Sequence, residues 1–250
     1  MPFKFPNVNK KVVTPYSDQE SKKRQVAKMF DNIAPKYDFL NHFLSLDIDI
    51  SWRKKTIREI APYHPKHILD VATGTADLAI EAARTLKPEK IIGVDIANEM
   101  LEIGRKKLGR RNLDSVIELE TGDSENLRFT DETFDAVTVA FGVRNFENLE
   151  AGLREMHRVL RPGGVMAVLE FSTPTLFPFK QLYNFYFSTI LPFIGRVTSK
   201  DTRAYSYLYE SVQAFPDKGR FESILTKIGF KTVKSKALTL GICTLYVAEK

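Results

Sequence analysis

The stretch His67-Ile-Leu-Asp-Val-Ala-Thr-Gly-Thr-Ala-Asp77 constrains this chain most, because it passes from an apolar run through an acid into a turn of small residues. Ile68, Leu69 and Val71 read as a buried strand, and Leu78, Ile80, Ala82, Ala83 and Leu86 keep the spacing of a helix. Gly74 sits where the chain turns between them. A residue without Cβ there admits unusual φ and lets a ligand approach the backbone closely. The unpaired N–H groups of the following helix would face the same ligand. A dinucleotide turn would carry G-x-G-x-x-G. Here Gly74 stands alone among Thr73, Thr75 and Ala76, so a pyrophosphate grip is incomplete.

Strands and helices alternate from this point, which predicts a parallel sheet covered on both faces. Lys90–Asp95, Val116–Glu120, Phe134–Phe141 and Val165–Phe171 are the expected further strands, with helices over Asn98–Leu108, Leu149–Leu160 and Asp217–Ile228. Two last strands, Lys231–Leu238 and Ile242–Ala248, are joined by so short a turn that they must run antiparallel. Residues 1–66 form an N-terminal helical cap in this reading, and 67–250 the main domain, with an aromatic-rich insertion at 174–215. In the cap, Ser17-Asp-Gln-Glu20 has the capping-box pattern and opens a helix expected to stop near Ile33, before Pro35. Tyr37–Leu44 and Ser51–Ile60 are expected as two further helices.

The net charge of +6 is unevenly placed: residues 1–66 carry 13 Lys or Arg against 7 Asp or Glu, and the rest is balanced at 24 against 24. A basic cap can approach an anionic surface, although a solvated helical face explains it equally well. Cys243 is the only cysteine, which excludes an intrachain disulfide and fits a reducing compartment. The N-terminus lacks the pattern of a signal peptide. The 15 uncharged residues between Lys180 and Arg196 are too few to span a bilayer.

Asp95 ends the second strand about 20 residues beyond the turn, where an acid can accept from ribose hydroxyls. Gly122-Asp123-Ser124 follows the third strand at the same sheet edge, where open α/β folds bind ligands; an Asx turn is the alternative. The fourth strand runs into Ala140-Phe-Gly-Val-Arg-Asn145. Arg144 can stabilise an oxyanion at the site mouth, or tie the loop down by an ion pair. His157 is expected to pack on the sheet, His42 to approach the site from the cap, and no histidine pair has metal-ligand spacing.

Taken together, Met29-Phe-Asp-Asn-Ile-Ala-Pro-Lys-Tyr-Asp38, Leu40-Asn41, Trp52-Arg53, Leu69–Asp77, Phe141-Gly-Val-Arg-Asn145, Arg161-Pro-Gly-Gly164 and Leu169-Glu-Phe-Ser172 resemble the quinone-biosynthesis C-methyltransferases over essentially the whole chain. The resemblance implies a Rossmann-like α/β fold of the class I S-adenosylmethionine-dependent methyltransferases, with a mostly parallel seven-stranded sheet closed by an antiparallel C-terminal hairpin. It implies S-adenosylmethionine as methyl donor, contacted by Asp70, Gly74, Thr75, Asp95, Asp123, Ser124 and the position of Ala140, where that family often has a hydroxyl residue. The implied reaction moves the methyl group to a ring carbon of demethylmenaquinol, giving menaquinol in menaquinone biosynthesis. Arg144 would stabilise the phenolate, with Asn145 and Tyr37 as orienting partners. No metal is expected. A polyprenyl-benzoquinol of ubiquinone biosynthesis, alone or in addition, is the alternative substrate. The polyprenylated quinol would use the insertion as a greasy wall, with Tyr205, Tyr207 and Tyr209 closing the pocket. The implied location is cytoplasmic, peripheral at the membrane's inner face, with no nucleic-acid partner; a homodimer is left open. From other classes, a hydride-transferring dehydrogenase and a non-catalytic nucleoside-binding lipid-surface module are the competing readings.

Overall fold

The structure, a computed structural model, describes residues 13–16, 19–45, 47–190 and 202–250. Strands β1 (His67–Val71), β2 (Lys90–Asp95), β3 (Ile117–Thr121), β4 (Phe134–Ala140), β5 (Leu160–Phe171), β6 (Thr232–Leu238) and β7 (Cys243–Glu249) form one sheet of order β3-β2-β1-β4-β5-β7-β6. Neighbours from β3 through β5 pair in parallel, and β7 runs antiparallel to both β5 and β6. The expected Rossmann-like methyltransferase sheet is therefore present. β5 starts earlier than its sequence suggests, because Gly163 and Gly164 exchange backbone hydrogen bonds with Lys250, each 3.1 Å.

Alternation along the strands feeds two apolar layers. Ile68, Ile91, Ile117 and Ala167 face helices α2 (Ile48–Ile60), α3 (Asp77–Leu86) and α4 (Asn98–Arg111). Leu69, Val137, Met166 and Val168 face α5 (Leu149–Val159) and a later helix, Lys218–Ile228. Helices α6 (Phe179–Phe185) and α7 (Thr202–Ala214) come from the insertion, and Lys218–Ile228 is α8. Among the described residues no helix is long and apolar enough to cross a membrane.

The N-terminal region departs from expectation. One helix, α1 (Lys22–Ser45), replaces the two expected on either side of Pro35. A proline inside a helix removes one hydrogen bond and costs roughly 3 kcal/mol. Packing on both sides of it compensates: Phe30, Ala34 and Tyr37 close on Ala97, just before α4, and on Met100 and Ile103 of α4. Asp31 also caps α4, its Oδ1 accepting from the Glu99 N–H at 2.9 Å. The capping box falls partly on Ser17 and Asp18, outside the described residues. Val26 and Met29 of α1 meet Tyr183 of α6 and Ala204 and Tyr207 of α7 in a third apolar cluster.

Two predictions follow from this packing. A Cβ on Gly152 of α5 would lie 2.5 Å from the Phe146 ring, so Gly152→Ala should destabilise the fold by about 1–3 kcal/mol, read from urea unfolding. Asp70, 1% exposed on β1, accepts from the hydroxyls of Thr73 and Thr138, each at 2.6 Å. Burial outweighs these bonds and pushes its carboxyl up to about 6. The native state thus holds a proton that the unfolded chain has released, so stability from this group is full below about pH 4 and declines as pH rises towards 6. Asp70→Asn should remove that decline, on the order of 2–3 kcal/mol between the two limits, in unfolding measured at fixed pH.

Candidate active site

A cleft of about 650 Å³, part of it open to solvent, lies at the carboxyl ends of β1, β2 and β4 beneath α1. Its place follows from topology: the chain leaves β1 and β4 in opposite directions, and that switch point opens a crevice. Two small-residue loops meet there. A Cβ on Gly142 would lie 2.6 Å from that of Ala72, so no larger residue fits between the loops. Ala72 and Phe141 are both left-handed, with φ of 51° and 59°. Such backbone costs of order 1–3 kcal/mol per residue and is held only by its surroundings.

Tyr37, Gly74, Asp95, Asp123, Ser124, Ala140 and Asn145 all line this cleft. The Asp95 Oδ2 accepts from the Gly74 N–H at 2.8 Å and its Oδ1 from the Ala97 N–H at 2.9 Å. Burial raises its pKa, opposed by these backbone donors. The carboxylate is thereby fixed beside the glycine turn with acceptor capacity left for a ligand. Asp123 is engaged on both oxygens: Oδ1 accepts from the Glu125 N–H at 2.9 Å, and Oδ2 from Lys23 Nζ at 2.6 Å. The Asx turn and the cleft position thus coexist in one residue.

Asp70, Thr75 and Arg144 do not line the cleft. Asp70 braces the turn from below through Thr73 and Thr138. Thr75 donates to Asp38 of α1 at 2.6 Å and accepts from Lys107 at 3.1 Å, which ties the far half of α1 to the turn. Arg144 forms an ion pair: its Nη1 lies 2.8 Å from Glu170 Oε1 and also bonds the Phe141 carbonyl. Glu170 is wholly buried on β5, where the alternation of Met166 and Val168 would place an apolar side chain. Removing one partner of such a pair costs about 3–5 kcal/mol. Glu170 could have been singled out as a lone acid in an apolar strand, a charge that demands a partner.

Lys22 and Lys23 had no distinguishing signal in the sequence, being two among many cations of the cap. Lys22 Nζ donates to the carbonyls of Arg144 at 3.1 Å and Phe146 at 2.9 Å, latching α1 onto the loop. Burial, and then the Arg144 charge, lower its pKa to about 8. His157 packs edge-on against Phe230, and the side chain of His42 lies outside the described residues.

The donor set fits a nucleoside. One fixed carboxylate faces the cleft beside a backbone turn, and Val94, Ile96, Met100 and Phe146 supply apolar walls for a base. A S-adenosylmethionine-dependent methyltransferase of Thermotoga maritima shares the fold, with a TM-score of 0.63 at 18% identity over 89% of this chain and 98% of its own. Demethylmenaquinone methyltransferase of Bacteroides fragilis is 48% identical over 98% of this chain and 100% of its own length. The ubiquinone/menaquinone biosynthesis C-methyltransferase of Geotalea daltonii is 46% identical over 92% of this chain and 97% of its own. The ubiE/COQ5 methyltransferase family matches residues 18–250, and the chain belongs to that family.

Proposed function

We propose that this chain transfers the methyl group of S-adenosylmethionine to a ring carbon of demethylmenaquinol, giving menaquinol. The observation that carries the reading is the Phe141–Asn145 loop, which closes the cleft, sets Asn145 in its wall and holds Arg144 buried directly alongside. Gly74 and Asp95 would hold the donor's nucleoside, with Asp123, Ser124 and the Ala140 backbone along the same edge. When bound, S-adenosylmethionine supplies a methyl group on a cationic sulfur that leaves as a neutral thioether.

The remaining chemistry falls to the protein. A quinol ring carbon becomes nucleophilic as a neighbouring hydroxyl loses its proton. Arg144 supplies a fixed cation beside that oxygen, in a water-poor setting where charge stabilisation is strong. Glu170 holds the guanidinium so that it need not reorganise. Asn145 and Tyr37 orient the ring within attack distance of the methyl group. Transfer to the ring carbon would leave the donor as a neutral thioether, and the phenolic and ring protons would pass to water at the open side of the cleft, which restores aromaticity. Asp70 and Thr75 act by bracing the turn.

A polyprenyl-benzoquinol, alone or in addition, is the second reading, favoured by the name of the Geotalea relative. A peripheral membrane contact belongs to the same proposal. It is supported by the exposed side chains of Leu176, Phe177, Leu182 and Phe185 on the insertion, beside Lys180.

Labelled methyl transfer to short-chain demethylmenaquinol, run beside the benzoquinol with and without a chemical reductant, tests the reading. Product from the reduced naphthoquinol is expected; no product from either quinol would sink it. Asp95→Ala should weaken S-adenosylmethionine binding by about 1–3 kcal/mol in calorimetry. An unchanged affinity would remove Asp95 from the site.

A further inference from the structure

Buried polar atoms in a folded chain nearly always have partners, so those without one mark places where something else is accommodated. Three such atoms sit on elements that pack together. Arg144 Nε, Asn145 Oδ1 and Tyr207 Oη are all buried without a hydrogen-bond partner among the described residues. Arg144 and Asn145 belong to the short 3₁₀ turn Val143–Asn145, and α7, which carries Tyr207, packs directly on that turn. Tyr207 is 1% exposed, and its phenol feels the charges of both Arg144 and Glu170. It shares an apolar cluster with Val26, which lines the cleft as Asn145 does. Of the three, Asn145 lines the cleft, Arg144 precedes it in the same turn, and Tyr207 shares its cluster with the cleft-lining Val26, so the set lies on the insertion side of the cleft wall.

Their chemistry is complementary to one kind of ligand. Arg144 Nε–H can only donate, Asn145 Oδ1 can only accept, and a phenol can do both. A hydroquinone presents, on opposite sides of one ring, two hydroxyls that each donate and accept. Burial raises the Tyr207 pKa, so the phenol keeps its proton through the neutral range and remains a donor.

We propose that Tyr207 is a substrate-recognising residue, its hydroxyl bonding a quinol oxygen in a buried set completed by Asn145 Oδ1 and Arg144 Nε. The inference rests on the quinol-methylation reading above and adds to it a residue from the insertion. It also separates cleanly from a packing role. Removing an unmatched buried hydroxyl leaves a fold as stable as before or more so, whereas removing a bond to substrate weakens only the steps that involve substrate.

The test is Tyr207→Phe in the full-length enzyme. Initial rates with reduced demethylmenaquinol should show kcat/KM for the quinol falling about tenfold or more. S-adenosylmethionine affinity by calorimetry and the melting temperature should not fall. Wild type should also discriminate against a quinol monomethyl ether, and the variant should lose part of that discrimination. Unchanged kcat/KM in the variant would overturn the assignment, as would a loss of rate accompanied by lower melting temperature or weaker cofactor binding. Failure of the wild type to methylate any quinol would remove the functional reading itself, and this inference with it.

Discussion

Everything at the cleft is built on the junction between β1 and β4, where one buried carboxylate joins two elements. Asp70 leaves β1, bonds Thr138 on β4 and reaches up to Thr73 in the turn, which also donates its N–H to the Val94 carbonyl at the end of β2. That bracing is one of the contacts that hold the left-handed Ala72 and the close approach of Gly142. A group expected from the sequence to contact a ligand thus lies behind the cleft's lining, bonded to Thr73 and Thr138. It gives the turn a shape that Gly74 and Asp95 then present to the cleft.

Charge is arranged on the same plan. The buried ion pair of Arg144 and Glu170 fixes the loop after β4 from the side of β5, and Lys22 fixes it from the side of α1. Lys23 reaches Asp123 on the opposite rim, and Asp38 reaches Thr75 at the turn. The basic excess of the N-terminal region, which composition alone leaves divided between a membrane surface and solvent, is thus partly spent on α1 as a cover for the cleft. Lys22 of the cover bonds the loop's backbone, so the cover and the loop are mechanically joined at Arg144–Phe146.

The ambiguity over Arg144 has a physical resolution. An ion pair that ties down the loop and a cation that serves an oxyanion stood as alternatives in the sequence. The structure shows the first, with Nη1 on Glu170, while Nε remains without a partner among the described residues. A planar guanidinium has several donors pointing in fixed directions, so one edge can anchor while another stays available.

The sheet, its antiparallel tail and the acids at the strand ends were legible in the chain because they depend on local patterns: apolar runs, turn residues and spacing. Gly74, Asp95 and Asp123 line the cleft because a strand's end and the turn after it are set within a few residues. The continuity of α1 through Pro35 was decided elsewhere, by Ala97 and by Met100 and Ile103 of α4, which accept the helix on both sides of the proline. The latches of Lys22 and Lys23 and the meeting of Tyr207 with the Arg144 turn were likewise beyond local reading. Each joins residues far apart in sequence, and only burial in a shared low-dielectric space makes such a pairing consequential.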